Sequence, residues 1–183
     1  MEIAELKTEL EKLHSASFGW ALNCCRHSRP EAEEVLQHVY LKILEGKARY
    51  RGECSLKTWL FAVIRNTAIS EYRKTILRSL TTRQKANDQS LGSFPESELA
   101  NSEMQRRFRQ ALARLPARQR ETLHLVFYQE LSLREAAQTM GVSIGSARRH
   151  YERGKKNLRQ ALDREEVDYG IGWRRKENSG VVL

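Results

Sequence analysis

The chain contains 183 residues, of which 40% are apolar and 30% charged, and carries a formal net charge of +9. That length accommodates one medium-sized domain or two small ones. The longest uninterrupted apolar stretch, Trp59 to Ile64, is far shorter than the ~20 residues of a membrane span, and the N-terminus lacks the apolar core of a signal peptide. We therefore expect a soluble, cytoplasmic protein. Its three cysteines do not form a disulfide framework.

The positive charge is concentrated in one part of the chain. Residues 101–164 contain 14 basic and 6 acidic side chains, whereas residues 1–78 contain 13 and 10. A localised basic excess favours a polyanionic partner, most often nucleic acid. A merely solvated basic surface is the alternative at this point.

The N-terminal part of the sequence predicts three helices. The first covers about residues 3–26 and carries an apolar stripe with helical spacing. The second begins near Pro30, has glutamates in its first turn and ends near Gly46. After a polar, basic loop, Ser55 is a suitable N-cap for a third helix that continues to about Leu77.

The helical pattern is lost between residues 79 and 101, a polar stretch longer than most connections within a compact domain. We therefore predict an all-α protein of two small helical domains, residues 1–78 and 102–165. Residues 79–101 would form a flexible linker between them. Residues 166–183 show no periodicity and are predicted to be a disordered or partner-ordered tail.

The sequence of the second domain predicts four helices, and the last two have helix-turn-helix spacing. One helix covers about residues 103–115, and Pro116 opens the next. Ser132 and Ser143 are N-cap candidates for the last two helices. Gly141, in the turn between them, supplies a backbone conformation that other residues resist.

The last helix separates apolar from basic side chains. On a helical wheel the apolar positions share one arc of about 100°, and six cations lie outside it. Because only Glu152 could pair with them, these like charges would repel one another without an external anion. The helix is therefore predicted to place its cations in a groove of DNA. The apolar arc comprises Ile144, Ala147, Tyr151, Leu158, Ala161 and Leu162.

The kind of DNA contact expected from this helix differs along its length. Side chains in its N-terminal half are predicted to reach base edges: Ser146, Arg148, Arg149, Glu152 and Arg153. Cations farther along, and one on an earlier helix, are predicted to contact phosphates: Lys155, Lys156, Arg159 and Arg118. Lys155 and Lys156 are equally compatible with solvated surface lysines.

The segment LARLPARQRETLHLVFYQELSLREAAQTMGVSIGSARRHYERGKKNL resembles a domain of the extracytoplasmic-function group of bacterial sigma-70-type sigma factors. Its L-P-x-R-x-R motif, helix-turn-helix and basic helix are typical of the domain that binds the upstream promoter element. LuxR-type regulators share a similar helix-turn-helix. However, PEAEEVLQHVYLKIL and RYRGECSLKTWLFAVIRNTAISEYRK resemble the other sigma domain. The resemblance implies a region 2-like and a region 4-like domain in a promoter-specificity subunit of RNA polymerase.

The second predicted helix carries the expected polymerase contacts. Leu41 stands among polar side chains, which suits a mixed protein-binding surface. The buried arc is predicted to comprise Val35, Leu36, Val39, Tyr40, Ile43 and Leu44. The resemblance implies docking on the clamp coiled coil of the largest polymerase subunit through Glu33, Glu34, Gln37, His38 and Leu41. It also implies contact with the flap of the second-largest subunit.

Aromatic and basic side chains alternate between residues 49 and 74, a pattern that suits single-stranded DNA. The resemblance implies that the loop 52–57 accepts a flipped base of the −10 promoter element, while the last helix of the chain reads the −35 element. Expected −10 contacts are Arg51, Gly52, Ser55, Lys57, Trp59, Asn66 and Ser70. Trp59 begins an apolar run and also fits a core position.

Other chemistries are poorly supported. Cys24, Cys25 and His27 do not provide a four-ligand set, and glutamates in the first turn of a helix are expected for dipole reasons alone. We predict no metal, no cofactor and no catalytic residue. The alternatives are a dimeric, stand-alone helix-turn-helix regulator and a recombinase or nuclease. The resemblance implies core RNA polymerase and promoter DNA as partners, and an anti-sigma protein as a common restraint in this family.

Overall fold

The computed structural model describes residues 3–81 and 103–168, and every regular element in these two stretches is a helix. The predicted all-α fold of two small helical domains is confirmed. Most of the predicted linker and tail, residues 82–102 and 169–183, lies outside the described residues. The helices are α1 (Ile3–Lys12), α2 (His14–Cys24), α3 (Arg29–Leu44), α4 (Leu56–Thr81), α5 (Glu103–Ala113), α6 (Ala117–Leu123), α7 (Leu133–Met140) and α8 (Ile144–Asp168).

Helix boundaries differ from the predictions at several points. The first predicted helix is divided into α1 and α2 at Leu13, although the Leu13 amide still donates to the Glu9 carbonyl at 3.1 Å. A π-helical turn, His124–Tyr128, follows α6 where a continuous α-helix was expected. The helices α4 and α8 each continue three residues past the predicted domain ends.

Capping residues define where the two helices of the helix-turn-helix begin and where the first one ends. The Ser132 hydroxyl accepts from the Glu135 amide at 3.3 Å, and the Glu135 carboxylate accepts from the Ser132 amide at 2.9 Å, which completes a capping box at the start of α7. The helix ends at Gly141, whose φ of 63° is left-handed. The Ser143 hydroxyl accepts from the Ser146 amide at 3.2 Å and so caps α8.

The first domain is built around Trp20, which is fully buried on α2. Its indole N–H donates to the Phe61 carbonyl at 3.0 Å, and the two rings stack with centroids 6.0 Å apart. Helix α2 packs against both α3 and α4, and Leu60 and Ile64 of α4 complete the buried centre. The indole therefore gains both its apolar contacts and its one required hydrogen bond from α4.

In the second domain α8 packs against α5, α6 and α7. Gly154 allows its close approach to α6, because a β-carbon at this position would lie 3.2 Å from Cγ of the buried Leu123. One turn farther along, the Asn157 amide donates to the Gln119 side-chain oxygen at 2.8 Å. The absence of a side chain at Gly154 thus sets the distance between α8 and α6.

The two domains pack against each other, with α4 against α7 and α2 against the π-helical turn. Leu125 and Met140 of the second domain belong to the same apolar core as Trp20 and Ile64 of the first. The ring of His124 lies 5.4 Å from that of Trp20. The described residues therefore share one core that crosses the domain boundary.

His124 lies at this boundary and is held neutral. Burial, followed by the nearby charge of His27, lowers its pKa from 6.5 to about 4. Its Nε2 atom lies 3.2 Å from the Gln129 side-chain nitrogen, so the unprotonated ring nitrogen can accept that hydrogen bond. The folded chain consequently disfavours protonation of this ring.

We expect Gly154→Leu to lower the free energy of unfolding by about 1 to 3 kcal/mol, because the new side chain would overpack against Leu123. Urea denaturation measures this. Gly145→Ala is the matched control, since its β-carbon would meet nothing closer than 4.0 Å. It should leave stability unchanged or raise it by up to about 1 kcal/mol. Equal stability of the Gly154→Leu variant and the wild type would contradict the close approach.

The depressed pKa of His124 predicts a pH dependence. Its contribution to stability is complete above pH 6.5 and is lost as the pH falls from 6.5 towards about 4, because the unfolded chain then binds the proton more tightly. His124→Phe keeps an aromatic ring beside Trp20 and removes this titration. Urea denaturation at pH 7 and pH 5 should therefore show a smaller acid loss for the variant than for the wild type. Equal losses would rule out His124 as the source.

Candidate nucleic-acid interface

The structure places the basic face of α8 in solvent. Its cations are exposed, whereas Ala147 is fully buried against the domain. Among the described residues, no carboxylate forms an ion pair with Arg148, Arg149, Arg153 or Lys156. Such a surface of concentrated, uncompensated positive charge is suited to a polyanion.

Two predictions for α8 need refinement. Ile144, expected in the buried arc, is 46% exposed because it lies at the edge of that arc in the first turn of the helix. Lys155 is held along the helix surface: its Nζ atom lies 3.1 Å from the Glu152 carboxylate and 4.4 Å from the centre of the Tyr151 ring. Among the cations on this face, Lys155 thus already interacts with two side chains of its own helix.

Arg118 has a structural role that the sequence did not indicate. Its guanidinium donates to the Met140 carbonyl at 3.3 Å and lies 3.5 Å from the Glu121 carboxylate. Because Met140 is the last residue of α7, this contact ties α6 to the turn of the helix-turn-helix. The side chain remains partly exposed, so a phosphate contact is sterically open.

The expected −10 residues divide into two groups. Arg51 and Gly52 are exposed in the loop before α4, and Asn66 and Ser70 lie exposed one turn apart on α4 itself. Gly52 has a φ of 76°, which favours glycine at this turn. All four positions are accessible to solvent, two in the loop before α4 and two near the middle of that helix.

The remaining three of the predicted −10 residues are engaged within the protein. Ser55 caps α4 by accepting from the Thr58 amide at 3.2 Å. Trp59 is half-buried with its ring 5.4 Å from that of Tyr50. The Lys57 ammonium donates to the Gln129 carbonyl of the second domain at 2.7 Å. Lys57 is therefore covered by the helix-turn-helix domain in this structure.

The expected polymerase surface on α3 is largely open. Glu33, Glu34, Gln37 and Leu41 are exposed. His38 is only partly exposed, and its Nδ1 atom lies 3.6 Å from the Glu71 carboxylate of α4. The His38 side chain therefore lies between α4 and the solvent.

The prediction that Leu44 is buried is wrong. Leu44 is 65% exposed, more than the 52% of Leu41. The sequence contained the signal, because Leu44 falls about 20° from Glu33 on the helical wheel, between Glu33 and Gln37. The outer face of α3 therefore presents two neighbouring leucines among glutamates.

The cysteines are free thiols. Burial, followed by the charges of Glu31 and Glu34, raises the pKa of Cys25 to about 12, which keeps it protonated. Within residues 3–81 and 103–168, no three His, Cys, Asp or Glu side chains form a group that could hold a metal ion. No helix in the same ranges is long and apolar enough to cross a membrane.

Comparison with known proteins gives consistent matches to both halves of the chain. The family model of sigma-70 region 2 matches residues 10–76, and that of sigma-70 region 4 matches residues 105–158. The extracytoplasmic-function (ECF) RNA polymerase sigma factor SigX of Bacillus subtilis is 31% identical, covering 83% of this chain and 82% of that protein. The ECF sigma factor EcfG of Rhodopseudomonas palustris is 30% identical, covering 72% of this chain and 71% of that protein.

A solved structure shows the same fold. The sigma factor RpoE of Bartonella quintana, crystallised with the anti-sigma factor NepR, superposes with a TM-score of 0.73 at 24% identity. The superposition covers 88% of this chain and 98% of that one. The chain belongs to the extracytoplasmic-function group of sigma-70 family sigma factors, which direct promoter-specific transcription initiation by RNA polymerase.

Proposed function

We propose that the two domains of this sigma factor divide its task between them. Residues 1–78 bind core polymerase and the melted −10 element, residues 102–165 bind the −35 element, and residues 79–101 connect them. Residues 166–183 form a tail beyond the second domain. The observation that carries this assignment is the cationic face of α8, on which, among the described residues, only Lys155 has a carboxylate partner, and which lies opposite a buried face in a capped helix-turn-helix.

The −35 assignment is supported by geometry within α8. Arg148, Arg149 and Arg153, with Ser146 and Glu152, lie on the first three turns of the helix, next to the turn of the motif. An arginine there can form two hydrogen bonds with guanine in the major groove. Lys156 and Arg159 follow one turn later and are positioned for phosphates, as is Arg118.

The polymerase assignment is supported by the mixed face of α3. Leu41 and Leu44 present exposed apolar surface three residues apart, and Glu33 and Glu34 supply negative charge beside it. That combination suits a helical partner surface with apolar side chains flanked by basic ones. We infer that this face binds the clamp coiled coil of the largest subunit, with the flap of the second-largest subunit meeting the second domain.

The −10 assignment is supported by exposed hydrogen-bonding groups on α4. The Asn66 amide can pair with two atoms of a base edge, and Ser70 lies one turn away on the same side. Arg51 in the preceding loop can hold the backbone of the strand. The resulting subunit binds DNA and polymerase in the cytoplasm and contributes no catalytic residue of its own.

An anti-sigma factor is a further proposed partner. The Bartonella sigma factor of the same fold was crystallised with one. The stand-alone regulator is less favoured, since region 2 of the sigma-70 family matches residues 10–76, which such a regulator does not need.

Arg149→Ala should weaken binding of a −35 duplex by about 10- to 100-fold, because each good pair of hydrogen bonds to a base contributes about 1 to 3 kcal/mol. Duplexes selected from a promoter library by the purified polymerase holoenzyme supply the probe, and fluorescence anisotropy measures binding. Lys7→Ala is the matched control, since it removes an exposed cation on α1 of the other domain. Equal losses for the two variants would show that only overall charge matters.

Leu44→Ala combined with Glu34→Lys should reduce co-purification with core polymerase and run-off transcription at least tenfold, while −35 duplex binding stays unchanged. The first change removes apolar contact, and the second reverses the charge beside it. Arg149→Ala should give the opposite pattern. If each change damaged polymerase binding and duplex binding equally, the proposed division of labour would be contradicted.

A further inference from the structure

We propose that a cavity between α1 and α3 binds a small, neutral amphiphile, an unbranched aliphatic chain that ends in a hydroxyl group. One wall of this cavity belongs to the proposed polymerase surface, so a bound ligand would oppose polymerase binding. This second step rests on the polymerase-binding function proposed for α3, whereas the ligand site itself does not. The residues that line the cavity belong to neither proposed DNA surface.

The cavity has the size of a small-molecule site. Its volume is about 370 Å³, and pockets that bind small molecules measure roughly 300 to 1,000 Å³. Because an apolar cavity of ~150 Å³ holds benzene, a cavity of this volume has room for about 15 non-hydrogen atoms. The lining residues come from α1, from His14 at the start of α2, and from the end of α3 with the residue pair that follows it.

Aliphatic side chains form the walls of the cavity. Leu10 and Ile43 are buried, with exposed fractions of 8% and 6%, and Leu6 is half-buried. Leu44 completes the walls and is largely exposed. Such walls give a polar ligand nothing in exchange for its lost water, whereas every methylene group gains free energy by leaving water. They therefore favour an aliphatic chain over a sugar-like or ionic ligand.

One polar pair in the lining suits a hydroxyl group. The Tyr40 phenol oxygen lies 3.0 Å from Nδ1 of His14. Burial raises the pKa of Tyr40, so the phenol keeps its proton at neutral pH. If the phenol donates to His14, its oxygen can still accept; if His14 donates, the phenol proton is free for a ligand. A hydroxyl can both donate and accept and so fits either case, whereas an ammonium only donates and a carboxylate only accepts.

The charges in the lining favour neither sign of ligand. Lys7 and Glu11 both line the cavity, are exposed and lie one helical turn apart on α1. An anion would be attracted by Lys7 and repelled by Glu11, and a cation would experience the reverse. A charged head group would also lose hydration beside the apolar walls. A neutral head group avoids both costs.

Leu44 connects the cavity with the proposed polymerase surface. It lines the cavity and, together with Leu41, forms the exposed apolar part of the outer face of α3. An aliphatic chain in the cavity would cover part of the Leu44 side chain. The same surface cannot be buried against two partners at once, so the ligand and polymerase compete for it.

The test of the site uses methyl NMR on the full-length protein with labelled isoleucine and leucine, titrated at pH 7 with straight-chain hexanol and octanol. Saturable shifts are expected at Leu6, Leu10 and Ile43. Octanol should bind about 16-fold more tightly than hexanol, because each buried methylene group contributes about fourfold in affinity. Octanoate and octylamine, which are charged at this pH, should bind severalfold more weakly than octanol.

Three variants locate the binding. Leu6→Trp fills the cavity and should abolish saturable binding. Leu77→Trp is the matched control, since it adds the same ring at an exposed position on α4 outside the cavity. Tyr40→Phe removes only the phenol oxygen and should weaken octanol binding by about 2- to 10-fold, the loss of one hydrogen bond. The ratio between octanol and hexanol should be unchanged in Tyr40→Phe, so this variant tests the site even if Leu6→Trp does not fold.

The competition is tested by fluorescence anisotropy of the labelled full-length protein with core polymerase. Saturating octanol should weaken polymerase binding by the wild type severalfold. It should not change polymerase binding by Leu6→Trp, in which the cavity is filled. This variant also controls for a direct effect of octanol on polymerase.

Shifts that increase linearly without saturation, or equal binding by the wild type and a folded Leu6→Trp variant, would overturn the site. Octanoate or octylamine binding as tightly as octanol would overturn the neutral head group. Saturable binding that leaves polymerase affinity unchanged would overturn the competition. If no form of the protein bound core polymerase, the proposed function would fail, and the competition with it. The NMR titration, which involves no polymerase, would still decide the ligand site.

Discussion

The burial of Trp20 is the constraint on which the rest of the structure depends. An indole is too large and too polar at its nitrogen to be buried without matched partners. Phe61 supplies both a stacked ring and the carbonyl that accepts the indole N–H, which fixes α2 against α4. His124 covers the indole from the second domain. One side chain therefore connects the fold of the first domain to the placement of the second.

That connection links stability with function. The contacts that complete the core also bring Gln129 and Glu121 over the cations of α4. Contacts that stabilise the packing of the two domains therefore occupy a lysine and an arginine of α4.

Much of the fold could be predicted because its signals are local. The cap at Ser132, the glycine turn at Gly141 and the cap at Ser143 act within four residues, and all three are present as expected. Glu135 adds a second hydrogen bond at the first cap, which was not predicted from the sequence. The cations of α8 follow from helical periodicity. The break at Leu13 and the π-helical turn were not predicted, because both occur inside continuous helical patterns.

The sequence by itself determined the helices, the helix-turn-helix and the family, since caps and periodicity depend on neighbouring residues and the motifs are contiguous. Tertiary structure alone decided which predicted residues are free to bind. Lys57 and Arg65 are basic residues like Arg51, yet both already have partners in the second domain. Lys57 contacts Gln129, 72 positions farther along the chain, and Arg65 contacts Glu121, 56 positions farther along. Leu44 is apolar like Ile43, yet only Ile43 meets the core. Exposure is a property of the packed chain, because it depends on which distant elements cover a given face.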